Sequence, residues 1–481
     1  MEKKKTKIVA TLGPATDKEE IIKELIINGV DVFRLNFSHG NHKTHKENIL
    51  KIRKVSEEVG KPVAILQDLS GPKIRLGLVE EPIYVHYGDK IVLTKEEVIG
   101  NKKNKVLSLN YPEVLEQLKV GDLIYIADGL IRLEVIEKNH DGIVAKVIVG
   151  GVISSRKGVN FPSAKINISS ITEKDIKDIK FAVDNEIDII ALSFVKTAED
   201  IKRAKEIIKD FGGDQPLFAK IEKHEAIENI DEIIADADGI MVARGDLGVE
   251  IDIEKVPIIQ KEIISKCNTA GKPVITATQM LTSMISSPRP TRAEVSDIAN
   301  AVLDGTDAVM LSDETTVGKY PIEAIKVMRK TILEAEKVYS YHRRYDVLGD
   351  RTLSIAYSSS ELSEKIKASA IATFTKSGKT ARNVSKFRPK APILAITHDT
   401  KTLRRLNIVW GVIPYMVIED EFLSDKLLCR FVNKAYTEDF NKDKDCIVAL
   451  VGFVGGITGS TSIIRVLGND DIDFMLDTNC D

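Results

Sequence analysis

Two short stretches govern the reading of this chain. One is Lys220-Ile221-Glu222, which follows the apolar run Pro216-Leu217-Phe218-Ala219. The other is Arg244-Gly245-Asp246-Leu247-Gly248, which follows Gly239-Ile240-Met241-Val242-Ala243. Both runs read as buried strands. Between them, His224 to Ala237 is one amphipathic segment of the size a crossover helix needs. Strand, helix and strand in that order make parallel neighbours, so a lysine and two carboxylates meet at the carboxyl ends of adjacent strands. Two acidic groups with a cation beside them suit a magnesium ion holding an anionic, phosphorylated substrate. In isolation either triplet would read as a surface ion-pair network, but the rest of the chain repeats the pattern.

Working outward, Val- and Ile-rich runs recur at Lys7–Leu12, Val30–Phe37, Pro62–Leu69, Ile187–Val195, Pro216–Glu222, Asp238–Ala243, Pro273–Ala277 and Asp307–Leu311. Most are followed by an amphipathic stretch, the pattern of a (β/α)₈ TIM barrel in the α/β class. Periodicity does not give strand pairing, so a doubly wound sheet stays open at this point. Thr16 and Glu19 are spaced as a capping box for the first helix, and Gly29 is placed to end it.

The third and fourth runs are more than a hundred residues apart. That gap alternates apolar and polar at Ile83–His86, Lys90–Leu93, Leu123–Ile126 and Ile131–Val135, with Gly-Asp or Asp-Gly turns at Gly88, Gly121, Gly129 and Gly142. It predicts a small β domain inserted over the catalytic face as a lid. The polar stretch Tyr341 to Gly349 marks a boundary, and strands near Ala370–Thr375, Ile393–Thr397, Ile413–Met416 and Ile447–Phe453 then alternate with helices. The expected units are a barrel from 1–71 and 164–340, a small β-barrel lid from 72–163 and a C-terminal α/β domain from 341–481.

The 481 residues are 43% hydrophobic and 29% charged, enough for a sizeable core, and fit about three domains. A net charge of −3 offers no electrostatic reason to expect nucleic acid. No apolar run reaches the length of a membrane span, and the amino terminus lacks a signal-peptide core. Cys267, Cys429, Cys446 and Cys480 are scattered without metal-ligand spacing, and are expected to be reduced thiols of a cytoplasmic protein.

In a barrel the strand ends form one ring. Here that ring carries Arg34, Asn36, Ser38 and His39, then Asp68, Ser193 and Phe194, Lys220 and Glu222, Gly245 and Asp246, Thr278, and finally Ser312 and Glu314. Each has an ordinary explanation alone, as a cap or a solvated loop; polar groups at so many successive strand ends read as an active site. From end to end the chain resembles the pyruvate kinases. The resemblance rests on Arg34-Leu35-Asn36-Phe37-Ser38-His39-Gly40, Gly71-Pro72-Lys73-Ile74-Arg75, Lys157-Gly158-Val159-Asn160 and Lys220-Ile221-Glu222. It continues through Met241–Gly248, Ala277-Thr278-Gln279-Met280-Leu281 and Pro288–Glu294.

The resemblance implies the barrel, lid and C-terminal domain, and transfer of the phosphoryl group of phosphoenolpyruvate to ADP, giving pyruvate and ATP. It implies that Glu222 and Asp246 hold Mg²⁺ or Mn²⁺, that Lys220 and Arg34 meet the phosphoryl group, and that the Gly245 N–H meets the substrate carboxylate. Thr278 lies where a proton reaches the enolate, through a relay ending in Ser312 or Glu314. Asn36, His39, Arg75 and Lys157 match nucleotide contacts, and a second ion is expected to enter with ADP. Asn36, Ser38, Asp68 and the Leu69 carbonyl match a potassium site. Potassium-requiring members usually carry Glu where this chain has Lys73 and Thr where it has Leu69. A fixed ammonium stands in for the cation, so K⁺ is expected to be dispensable. Asp313 also departs from the family, which commonly has Gly there.

Ser377-Gly378-Lys379-Thr380 invites a P-loop reading, but Thr373 stands where that motif needs its first glycine. By resemblance, Thr375, Lys376, Ser377, Gly378, Lys379 and Thr380 form a loop for a sugar-phosphate or nucleotide effector, with a second loop near Gly456–Ser462. A homotetramer with a contact at Thr291–Glu294 is implied, and the extra C-terminal module of some members is not expected. Two other readings compete: a magnesium-dependent enolate lyase or aldolase on the same barrel, and a catalytically inactive effector-binding paralogue.

Overall fold

The computed structural model describes residues 4–418, 424–441, 444–452 and 461–477. Its first three strands, β1 (Lys7–Thr11), β2 (Val32–Asn36) and β3 (Ala64–Asp68), lead into the insert. The insert holds β4 (Ile83–Val85), β5 (Lys90–Thr94), β6 (Val106–Ser108), β7 (Leu123–Ile126), β8 (Ile131–Lys138), β9 (Gly142–Val149), β10 (Gly151–Ile153) and β11 (Val159–Asn160). The barrel resumes with β12 (Ile189–Leu192), β13 (Leu217–Ile221), β14 (Gly239–Ala243), β15 (Val274–Ala277) and β16 (Ala308–Leu311). These eight parallel strands close in the order β1-β16-β15-β14-β13-β12-β3-β2. The closing pair, β1 with β16 from Lys7↔Ala308 to Ala10↔Leu311, removes the doubly wound alternative.

Side chains alternate between two apolar layers. On β14, Ile240 and Val242 point out to the helices, while Met241 points in with Phe218, Leu66 and Met310. Gly239 belongs to this packing: a Cβ there would come within 2.4 Å of the Phe218 ring. The strand register sets the catalytic level, because Lys220 sits beside Met241, Ala243 beside Ala277, and Asn36 beside Asp68.

The insert builds a six-stranded sheet, β11-β7-β8-β9-β5-β6, and a two-stranded one, β10-β4, around a separate core that includes Leu93, Leu133 and Phe161. Its ladder stays open between β11 and β6, so the lid is a mixed-sheet unit.

Two local expectations fail. Thr16 does not cap the first helix. That helix runs Glu19–Asn28, so Glu19 is its first residue rather than its third, and Lys18 takes the cap position without a side-chain bond. Thr16 is instead buried and donates to the Thr315 carbonyl at 2.8 Å, a tertiary partner invisible to local spacing. Gly29 does end the helix, at φ 120°. The segment after Lys220 is not one helix but two, His224–Glu228 and Ile230–Asp236. Asn229 breaks it, and its Nδ2 donates to the Lys196 carbonyl at 2.9 Å.

The C-terminal unit is a five-stranded sheet of β17 (Ala370–Phe374), β18 (Ile393–Thr397), β19 (Val412–Val417), β20 (Ile447–Gly452) and β21 (Thr461–Leu467). The order is β19-β18-β17-β20-β21, with β21, a β-branched run the sequence reading did not place, antiparallel to β20. The cysteine reading needs a correction: Cys267 and Cys446 are free, but Cys429 is disulfide-bonded. Its neighbourhood is made by the packing of Ser424–Glu438 on Asn469–Asp477, which spacing along the chain does not reveal. Among the described residues no helix is long and apolar enough to cross a membrane.

Candidate active site

At the carboxyl ends of β2, β3 and β13, four charged side chains interlock below the surface. Lys220 Nζ lies 2.8 Å from Glu222 Oε1, 3.0 Å from Asp68 Oδ1 and 2.7 Å from Ser193 Oγ. Arg34 sets Nε and Nη2 each 2.7 Å from Asp68 Oδ2, and Nη1 donates to Thr11 Oγ1. The Glu222 carboxylate also accepts the Phe194 N–H at 2.8 Å. All four residues are at least nine-tenths buried. Two cations and two anions balance, which is what makes such burial tolerable.

The groups are tuned unequally. Burial would lower the Lys220 pKa, but the Asp68 and Glu222 carboxylates outweigh it and raise it. Burial would raise Asp68, yet Lys220 and Arg34 together hold it below the ordinary range. For Glu222 burial prevails over Lys220 and the carboxyl is pushed up. Glu222 is therefore the member that further positive charge would stabilise.

Asp246, on the helix Arg244–Glu250 that follows β14, is one-third exposed beside this cluster, with Lys73 Nζ 3.5 Å from its Oδ1. Lys73 thus faces Asp246, while the Asp68 carboxylate is held by Arg34 and Lys220. Of the other residues matched to a potassium site, the Leu69 carbonyl accepts Ser193 Oγ at 2.7 Å and Asn36 Oδ1 accepts the exposed Ser38 N–H at 3.1 Å.

The rim carries backbone strain. Phe194, Thr278 and Gln279 have φ of 56°, 69° and 56°, uncommon for any side chain and costly for a β-branched one. Thr278 is held there by its neighbours. Its Oγ1 donates to the Ala277 carbonyl and accepts the Gly245 N–H at 2.8 Å, while Arg244 Nη2 donates to the Thr278 carbonyl at 2.7 Å. The Gly245 N–H, expected at a substrate carboxylate, is thus donated to Thr278. Arg244 is anchored in turn by Asp297 at 2.7 Å, a positioning role the sequence reading missed.

Glu314 is buried beside Ser312. Its two oxygens accept the Leu281 and Ser312 N–H groups at 2.9 and 2.8 Å, tying the loops after β15 and β16 together. So held, the Glu314 carboxylate fixes the two loops relative to each other. Asp313 is exposed next to it.

Between the insert and the barrel lies a cleft lined among others by Lys73, Asn160, Phe194, Lys196, Lys223 and Asp246. Of its three lysines, Lys73 pairs with Asp246 and Lys223 with Glu250. Lys196 and Lys223 were not foreseen; the only signal was that Lys223 adjoins Glu222. Arg75 Nη1 donates to the Arg156 carbonyl at 3.1 Å, and the Arg75–Gly158 bridge brings the exposed Lys157 alongside it. His39 is exposed and Asn36 half-buried on the other side.

In the C-terminal unit the loop after β17 leads into the helix Lys379–Lys386 through Gly378 at φ 77°. Lys376, Ser377 and Lys379 are exposed, Thr375 and Thr380 buried, and Thr380 Oγ1 shares a hydrogen bond of 2.8 Å with Thr461. Most of the second expected loop, near Gly456–Ser462, lies outside the described residues.

Comparison with known proteins supplies the deciding observation. The family model for the pyruvate kinase barrel domain matches residues 3–325, and that for the pyruvate kinase alpha/beta domain matches residues 353–467. The chain belongs to the pyruvate kinase family. It is 46% identical to the pyruvate kinase of Thermotoga maritima over 97% of this chain and 99% of that one. It is 45% identical to that of Geobacillus stearothermophilus, over 96% and 80%. With pyruvate kinase 2 of Synechocystis it shares 44%, over 96% and 79%. The pyruvate kinase assignment makes the enzyme a phosphotransferase of glycolysis, moving the phosphoryl group of phosphoenolpyruvate to ADP. The lyase and inactive-paralogue readings are not favoured.

Proposed function

We propose that the buried Arg34–Asp68–Lys220–Glu222 cluster, with Asp246 beside it, is the phosphoryl-transfer centre. The interlocked geometry of Lys220 carries this reading. Phosphoryl transfer asks a protein for positioning and charge neutralisation. Lys220 faces the migrating group, and Arg34 binds the same phosphate. Glu222, whose carboxyl is pushed up by burial, and Asp246 offer hard oxygens that fit Mg²⁺ or Mn²⁺. When bound, that ion would supply positive charge to the anionic substrate. Thr278, fixed by Arg244 and Gly245, directs a proton to the enolate carbon through water and Ser312. Asn36, His39, Arg75 and Lys157 take the nucleotide in the lid cleft. The units are the barrel 1–71 with 164–340, the lid 72–163 and the effector domain 341–481, in a cytoplasmic homotetramer.

Lys73 makes potassium dispensable, since its ammonium already stands at the Asp246 carboxylate. The test is pyruvate formation from phosphoenolpyruvate, ADP and Mg²⁺ in tetramethylammonium buffer, with and without K⁺. Rapid turnover without K⁺ is expected, with Lys73→Glu becoming K⁺-stimulated. Many-fold stimulation of the unaltered enzyme removes the lysine argument, and no turnover under either condition removes the catalytic one.

The loop Thr375–Thr380 binds a sugar-phosphate or nucleotide effector, its exposed Lys376, Ser377 and Lys379 standing before a helix N-terminus. Lys379→Ala is expected to abolish sugar-phosphate activation and spare basal turnover. Unchanged activation places the effector elsewhere.

A further inference from the structure

Beside the catalytic ring, three donor atoms converge that the reaction does not use. His224 and Glu225 open the helix His224–Glu228, and Glu250 closes the helix Arg244–Glu250. Glu250 is 3% exposed. Its Oε1 accepts two hydrogen bonds of 2.7 Å, from Lys223 Nζ and Asn160 Nδ2. Its Oε2, the buried Oε2 of Glu225 and the buried Nδ1 of His224 have no hydrogen-bond partner outside this trio, and Nδ1 meets the two carboxylates as an ion pair. These atoms face one another. Nδ1 stands 3.3 Å from Glu225 Oε2 and 3.5 Å from Glu250 Oε2, and all three lie within 4.8 Å.

Buried polar atoms need a shared partner, and a protonated Nδ1 between the two carboxylates is one arrangement that supplies it. A proton on Nδ1 serves one carboxylate at most; a dication serves all three atoms. With metal–ligand bonds of about 2.0–2.2 Å, a tetrahedral ion spaces its donors roughly 3.3–3.6 Å apart. Two edges of the donor triangle already have that length. One imidazole with two carboxylates selects ions that accept nitrogen, Zn²⁺ foremost, over the oxygen-seeking Mg²⁺ and Ca²⁺.

We propose that His224, Glu225 and Glu250 form a transition-metal site, separate from the catalytic ion at Glu222 and Asp246, whose preferred occupant is Zn²⁺. The half-buried His224 and Glu225 leave a route for the ion and a water as fourth ligand. An ion on Glu250 Oε2 also fixes the carboxylate whose Oε1 holds Asn160, on the strand where the lid returns to the barrel. Occupancy therefore stiffens the lid attachment.

The test uses the full chain, stripped with chelator and kept in saturating Mg²⁺, titrated with Co²⁺ and then Zn²⁺. One equivalent of Co²⁺ is expected to give the visible absorption of a four- or five-coordinate ion and to be displaced by Zn²⁺. His224→Ala and the isosteric Glu225→Gln each weaken Zn²⁺ binding roughly 100-fold. Zn²⁺ raises the Tm of the unaltered chain but not of these variants, whose folding is checked by circular dichroism. Asp246→Asn keeps the Co²⁺ signal while losing turnover. A signal that survives Glu225→Gln, or that disappears with Asp246→Asn, places the ion elsewhere and overturns the proposal. Failure of the unaltered chain to bind either ion overturns it as well, leaving an imidazolium between two carboxylates.

Discussion

Replacing Lys220 by Met is expected to lower kcat by about 10³-fold or more, the scale seen when a fixed cation is removed from a phosphoryl-transfer transition state. The KM for phosphoenolpyruvate should change much less, because Arg34 and the ion at Glu222 and Asp246 still bind the ground state. The two effects separate because the charge Lys220 offers matters most where charge spreads over the migrating group. The same change removes one of two cations from a buried, balanced cluster. Asp68 keeps Arg34 at 2.7 Å, but Glu222 is left with the Phe194 N–H as its protein partner. Losing one partner of a buried pair costs about 3–5 kcal/mol, so the variant should also melt at lower temperature. Steady-state kinetics below that temperature, with circular dichroism as a check of folding, isolate the chemistry. A kcat within tenfold of the unaltered enzyme would remove Lys220 from the transition state.

The largest effect on stability away from the site is expected at Arg388. Its guanidinium is 3% exposed and meets Asp307, just before β16, at 2.9 and 3.1 Å. It also donates to the Gly305 carbonyl at 3.0 Å and to Asn268, and it lies over the Trp410 ring. The Trp410 N–H donates to the same Asp307 carboxylate at 3.2 Å. One buried ion pair thus clamps the amino-terminal end of the barrel to the C-terminal unit. Arg388→Met strands Asp307 in the interior and should destabilise the protein by about 3–5 kcal/mol. Adding Asp307→Asn should return part of that loss, because the uncompensated charge is gone. Denaturant unfolding of the two single variants and the double variant measures the coupling. A loss below about 0.5 kcal/mol in Arg388→Met, the range of ordinary surface changes, would refute the clamp.

Local pattern was enough for much of the molecule. The eight apolar runs stand within about three residues of β1–β3 and β12–β16 at either end, because a strand buried on both faces must be apolar throughout. Lys220, Glu222 and Asp246 could be placed together before any coordinates, since residues just past parallel strands share one rim. Gly29, needing positive φ, and the turn glycines of the insert were legible for the same local reason.

Tertiary packing determined the rest. Thr16 left its capping position for the Thr315 carbonyl, far away in sequence, and Asn229 broke a helix by bonding Lys196. Arg244 gave no local sign that it holds Thr278 in a strained conformation. Nothing local showed that both Glu314 oxygens would accept backbone amides of two different loops. The facing atoms of His224, Glu225 and Glu250 meet only because two helices that follow neighbouring strands point their ends at each other. Hydrophobic periodicity is a property of neighbours along the chain; hydrogen-bond partners and buried charges are chosen among groups that the closed barrel brings together.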